Sequence, residues 1–218
     1  EACEVKVDPQ GKITGMMGTT TSGQGHETLF ATILGEELEF DPDEIRIVHA
    51  DSLSALPTRS PVASRMAIML GGAATGAAGK IKDRALAIAA FNLAIALEDL
   101  EYSGGTISDR NDPSRKLTWA EICFISYRAY HKLPPGMEPG FHAQFVFQVP
   151  GGGQLPDAQN RVQIYPCFSF QAHIPYVEID PGTGRVSVLD YAIAHDCGTV
   201  INPDIVRGMV IGGLAHGI

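Results

Sequence analysis

Three stretches carry residues whose types and spacing fit ligand chemistry. In "TTTSGQGHETLF", Thr19–Phe30, the residues Gly23, Gln24 and Gly25 precede an expected helix. Paired glycines there let backbone amides turn toward an anion at the helix N-terminus. Gln24 offers a donor and an acceptor, which suits a heterocycle edge or a phosphate oxygen better than acid–base work. His26 fits either a helix cap or a hydrogen bond to a ligand. In "SPVASRM", residues 60–66, Ser64 and Arg65 put a hydroxyl and a guanidinium at a second helix start. They fit a phosphate site or, equally, a serine N-cap beside an exposed arginine. In "HDCGTVINPDIVRGMVIGG", a strand runs into Asp196, Cys197 and Gly198, and Asn202-Pro203 opens a helix. Cys197 is a candidate nucleophile, yet no base and orienting group lie near it in sequence. A buried cysteine in a tight turn is the expected role.

Three better-known patterns fail. His26-Glu27 lacks the second histidine of HExxH, because Phe30 stands in its place. Gly79-Lys80 lacks the first glycine of a P-loop, at Ala74, and its Ser or Thr, at Ile81. "GGAATGAAG" is not GxGxxG, and no strand leads into it. The four cysteines, Cys3, Cys123, Cys167 and Cys197, include no CxxC pair, which disfavours a zinc ribbon or a thiolate-ligated iron–sulfur cluster within this chain. Reduced thiols and a cytoplasmic location are expected.

The elements that must position these residues follow from periodicity. Glu4–Val7 and Lys12–Met17 read as strands joined by a turn, Glu27–Leu38 as a helix, and Glu44–Asp51 as a strand. An irregular loop follows. A long alanine-rich helix is expected over about Ala67–Tyr102, with Gly71, Gly72, Gly76 and Gly79 marking a break or a close backbone approach. A small hairpin precedes Thr118, which forms a capping box with Glu121 and opens a short helix to about His131. Breaker-rich connections at "LPPGMEPG" and "PGGGQLPDAQN" put a sub-boundary near 133–160 within residues 1–218. Tyr176–His195 reads as a hairpin turning at "DPGTG", and a final helix starts near Pro203. The irregular mixture indicates an α+β fold, with mixed sheets packed against helices. A net charge of −9 argues against nucleic acid as a partner, and no charge-free apolar run reaches membrane-spanning length. The strand pattern already under way at Glu1 and the helix running into Ile218 read as an excised piece of a longer polypeptide.

In this order and spacing, "GQGHET" with "EIRIVHAD", then "SPVASR", then "DCGTVINPDIVRG" leading into "GGLAHGI", the chain resembles the molybdenum-binding subunit of the xanthine dehydrogenase, aldehyde oxidase and carbon monoxide dehydrogenase family. The resemblance implies a molybdopterin cofactor, in the cytosine dinucleotide form, held by Gly23, Gln24, Gly25 and His26. It extends the same role to Ala63, Ser64, Arg65, Asp196, Cys197 and Asn202, with His26 neither metal ligand nor base. It also implies oxidation of an aldehyde, an N-heterocycle or carbon monoxide. Electrons would leave through iron–sulfur and FAD subunits or domains, within an oligomer that includes the remaining domains of the molybdenum subunit. On this resemblance the catalytic glutamate lies beyond Ile218 and the substrate-facing loop before Glu1, so the chain alone is expected to be inactive. Met209 replaces a glutamine found in many relatives, removing an amide's two hydrogen bonds. A non-catalytic relative serving as a binding or assembly module is the competing expectation, and a cysteine hydrolase built on Cys197 is a third.

Overall fold

The computed structural model describes residues 1–49, 51, 53, 56, 58–59, 61–150, 155–162 and 167–218. Parts of the irregular loop between residues 49 and 66 and of the "PGGGQLPDAQN" connection lie outside them. The chain divides into two units, Glu1–Val149 and Pro150–Ile218.

The first unit is built around a four-stranded sheet in the order β3 (Arg46–His49), β2 (Ile13–Met17), β1 (Ala2–Val7), β7 (His142–Val146). β1 (Ala2–Val7) and β2 (Ile13–Met17) form an antiparallel pair. Its turn is fixed by the Asp8 carboxylate, which accepts from the amides of Gln10 and Lys12. α1 (His26–Leu38) then carries the chain to β3 (Arg46–His49), which lies parallel to β2. β2-α1-β3 is therefore a βαβ unit inside an otherwise antiparallel sheet.

α2 (Met66–Leu93) crosses this sheet with Ala73, Ala74, Ala77, Ala78 and Ala85 fully buried. Small side chains let its axis come close to the strands. The helix is unbroken through its glycines, and two of them are sites of close approach. A Cβ on Gly72 would lie 2.6 Å from the Phe147 ring, and one on Gly76 would lie 2.4 Å from the Phe145 ring.

The expected helix to Tyr102 is too long. Ala94 takes a left-handed C-cap conformation (φ 51°) and donates its N–H to Ala90 O. A 3-10 turn follows at Leu97–Asp99, and β4 (Leu100–Ser103) joins β5 (Thr106–Asp109) and β6 (Lys116–Leu117) in a separate three-stranded sheet. The Thr118–Glu121 capping box opens α3 (Trp119–Arg128), and a 3-10 turn at Tyr130–Lys132 completes the segment expected to be helical to His131. The Trp119 ring packs between Phe40 and Phe141, and its indole N–H donates to Gly11 O at 2.9 Å. β7 (His142–Val146) was not anticipated from the sequence; it pairs antiparallel with β1 and forms the sheet's edge.

The second unit contains the hairpin β8 (Phe170–Ile179) and β9 (Val186–Asp196), then α4 (Pro203–Gly217). The Asp180 carboxylate accepts from Gly182 N and from the Thr183 hydroxyl, which sets the turn. No described residue of this unit is buried. One hairpin face exposes Phe170, Ile174 and Tyr176, each more than 60% accessible. Among the described residues, no helix is long and apolar enough to cross a membrane.

The glycines of α2 give a test with two opposite signs. Gly79 has open space around a prospective Cβ, so Gly79→Ala should raise stability by about 1 kcal/mol through helix propensity. Gly76→Ala must displace the Phe145 ring, an overpacking cost of about 1–3 kcal/mol that outweighs the same gain. Denaturant midpoints moving in the same direction for both variants would contradict this packing.

Candidate functional site

β2 and β3 end side by side, with Met17 opposite His49. The chain leaving β2 enters α1, and the chain leaving β3 leads to α2. The helices run in the same sense, since Gly71 of α2 approaches Ile33 and Lys82 Nζ reaches Glu37 O further along. Both helix starts therefore lie at the carboxyl end of the parallel pair, where open α/β arrangements collect ligands.

The turn before α1 is left-handed at Gly23 (φ 98°) and at the N-cap Gly25 (φ 72°). Gly23 faces open space, as its prospective Cβ meets nothing within 4 Å. The Gln24 amide oxygen accepts from Ser22 N and from the Thr21 hydroxyl, bracing the turn from within. Gly25 supplies no side-chain cap, so the amides of His26, Glu27 and Thr28 have no acceptor among the described residues. His26 is only 6% exposed, and its Nδ1 has no hydrogen-bond partner. It does not cap the helix.

Ala63 and Ser64, consecutive non-glycine residues, are both left-handed (φ 63° and 51°). The helix N-cap is Arg65, not Ser64, and no side chain caps α2 either. Nor is Arg65 an exposed cation. Its guanidinium pairs with the buried carboxylate of Glu1, which also accepts from Arg59 N and the Thr58 hydroxyl. The first unit thus brings Gly23, Gln24, Gly25 and His26 to the same end as Ala63, Ser64 and Arg65.

The remaining expected site residues form one loop of the second unit. The Asp196 carboxylate accepts from Gly198 N at 2.9 Å, and Gly198 is left-handed (φ 77°). Asn202 caps α4 by accepting from Ile205 N at 3.0 Å, with Pro203 opening the helix. Cys197 is exposed, contrary to the expectation of a buried turn cysteine, because this unit buries none of its described residues. Met209 lies on α4 and is 54% exposed. Among the described residues, no group of three His, Cys, Asp or Glu side chains could hold a metal ion.

Sequence reasoning missed His49 and Glu1. His49 Nδ1 lies 3.0 Å from Thr19 O and Nε2 lies 2.9 Å from Glu27 Oε1. The alternation of "EIRIVHAD" reads as a strand, and nothing local in the sequence assigns its histidine a role.

The molybdopterin cofactor-binding domain family matches the chain over residues 1–218. The chain belongs to that family. It is 33% identical over 217 residues to the carbon monoxide dehydrogenase large chain of Hydrogenophaga pseudoflava, covering 100% of this chain and 25% of the relative. It is 30% identical over 218 residues to the nicotine 6-hydroxylase large subunit of Paenarthrobacter nicotinovorans, again covering 25% of the relative. Among solved structures, reconstituted CO dehydrogenase from Oligotropha carboxidovorans superposes with a TM-score of 0.81 at 32% identity, over 98% of this chain and 24% of that one. Quinoline 2-oxidoreductase from Pseudomonas putida 86 gives 0.78 at 28% identity, over 98% of this chain and 25% of that one. The chain thus spans about a quarter of the length of the relatives it matches. The family's α+β architecture is the one observed.

The cysteines make a further test. Burial pushes the Cys3 and Cys123 thiols up to about 12, so they hold almost no thiolate at pH 8. Cys167 and Cys197 are exposed. Iodoacetamide at pH 8 should label those two in the native chain and all four cysteines only after denaturation. Mass spectrometry showing native modification of Cys3 or Cys123 would contradict the core described here.

Proposed function

We propose that residues 1–218 form part of the cofactor-binding wall of a molybdenum hydroxylase that oxidises an aldehyde, an N-heterocycle or carbon monoxide. The observation that carries this reading is the start of α1, where uncapped amides follow an open glycine turn and a buried histidine nitrogen lacks a partner. In a chain of net charge −9, an anion held there needs fixed local donors rather than a general positive field. A pyrophosphate-bearing pterin, in the cytosine dinucleotide form, matches that demand.

The residues present fit such a group. The amides of His26, Glu27 and Thr28 supply donors to phosphate oxygens, and left-handed Gly23 lets the backbone approach closely. The Gln24 amide nitrogen donates to a ring or phosphate oxygen while its own oxygen keeps the turn in shape. Across the same end of the sheet, Ala63 and Ser64 present backbone and a hydroxyl. Arg65, tied to Glu1, acts through placement of this loop. In the second unit, taken by itself, Asp196, Cys197 and Asn202 are the residues assigned to cofactor contact, on the loop that leads into α4. The cofactor, when bound, supplies the two-electron redox chemistry, and the protein supplies binding and orientation.

The partners that follow are the remaining domains of the molybdenum subunit and iron–sulfur and FAD subunits or domains, in an oligomeric cytoplasmic enzyme. The exposed apolar residues of β8 and β9 support packing against such neighbours. The chain Glu1–Ile218 expressed alone should therefore be inactive and should self-associate; a monodisperse monomer by light scattering would count against this part of the reading.

Gln24→Ala in the full-length protein tests the site. The substitution removes one ligand donor and the two bonds that brace the turn. Net hydrogen-bond contributions of about 0.5–1.5 kcal/mol each correspond to a loss of about tenfold or more in cofactor retention. Molybdenum and pterin content should fall while activity per bound molybdenum stays near wild type. Unchanged molybdenum with collapsed activity per metal would move Gln24 from binding to the reaction.

A further inference from the structure

His49 ends β3 and sits between two acceptors. Nδ1 faces the Thr19 carbonyl where the chain leaves β2, and Nε2 faces the Glu27 carboxylate in the first turn of α1. A carbonyl oxygen only accepts, so Nδ1 carries a hydrogen. An ionised carboxylate also only accepts, so Nε2 carries one as well, unless the proton sits on the carboxyl group. In either form the pair holds one proton more than a neutral imidazole beside a carboxylate. Glu27 is a charged group in contact with the ring. On β3 itself Arg46 is exposed at the far end, and Asp51 follows two residues on.

These contacts join the two ends of the segment that contains Gly23, Gln24 and Gly25. The glycine turn is braced from within by Thr21 and Gln24, but Gly25 provides no side-chain cap and a prospective Cβ on Gly23 meets nothing within 4 Å. We propose that His49 is a positioning residue, a proton-dependent bracket that fixes the glycine turn and the uncapped start of α1 in the shape that receives the anion. The inference rests on the cofactor reading above. It also excludes two other roles for this histidine. With both ring nitrogens engaged by the protein, neither is left to bind the cofactor or to abstract a proton.

The electrostatics give a test that a merely structural contact would not satisfy. The contacts need one hydrogen more than a neutral imidazole beside a carboxylate supplies, so the bracket should hold more firmly at about pH 6 than at about pH 9. Glu27→Gln removes the need for that proton, because its amide donates to the Nε2 of a neutral imidazole whose Nδ1 still serves Thr19. In the full-length protein, backbone hydrogen exchange over residues 20–28, corrected for intrinsic rates, and molybdenum content are measured at both pH values. His49→Ala should accelerate exchange by about tenfold and lower molybdenum content at pH 6, as expected for losing a charge-assisted bond. Wild type should show the same losses on going to pH 9, and Glu27→Gln should behave as pH 6 wild type at both. The proposal is overturned if His49→Ala retains wild-type exchange and metal content, or if Glu27→Gln behaves like His49→Ala. Absence of molybdenum and pterin from wild-type protein would instead sink the cofactor reading. The exchange comparison would still decide whether the bracket exists.

Discussion

Backbone amides at the start of a helix need acceptors, and in α1 none of the described residues provides them. The amides of His26, Glu27 and Thr28 follow a glycine N-cap that has no side chain to offer. The surroundings can be understood from that deficit. The parallel pairing of β2 and β3 delivers two helix starts to one end of the sheet. Gln24 folds its oxygen back into the turn, and His49 ties the turn's flanks. The buried Glu1 carboxylate takes up the Arg65 charge and anchors the second loop. Each contact holds backbone donors in place without satisfying them.

The core makes this geometry stiff. α2 is built largely from alanine and glycine where it meets the sheet, so the helix lies close, and aromatic rings from β7 and its continuation fill the notches at Gly72 and Gly76. The rigid layer stops there. The second unit pairs long strands and caps its helix well, yet buries none of its described residues. Regular hydrogen bonding without apolar burial leaves local structure with little tertiary stabilisation.

Much of this was legible in the sequence, and the failures have physical causes. Glycine pairs ahead of a periodic apolar run marked α1, and Thr118 with Glu121 announced the capping box, because both signals are local. The end of α2 was hidden because Ala94, not a glycine, adopts the left-handed cap. β7 was hidden between two breaker-rich connections, although exposed His142, buried Ala143 and exposed Gln144 show the alternation of an edge strand. The His49 bracket joins residues 22 and 30 positions apart, a distance at which spacing carries no information. At the candidate site, the glycine turn was readable, whereas the neutralisation of Arg65 by Glu1 depends on a contact across 64 positions.

The uncovered hairpin of the second unit has a consequence for the life of the polypeptide. Strands that display Phe170, Ile174 and Tyr176 to water are the kind of surface that chaperones retain and proteases find. A chain whose neighbours have not yet docked would carry that signal, and docking would erase it. On the proposed function, the exposed strands would then distinguish a chain that has docked against its neighbours from one that has not.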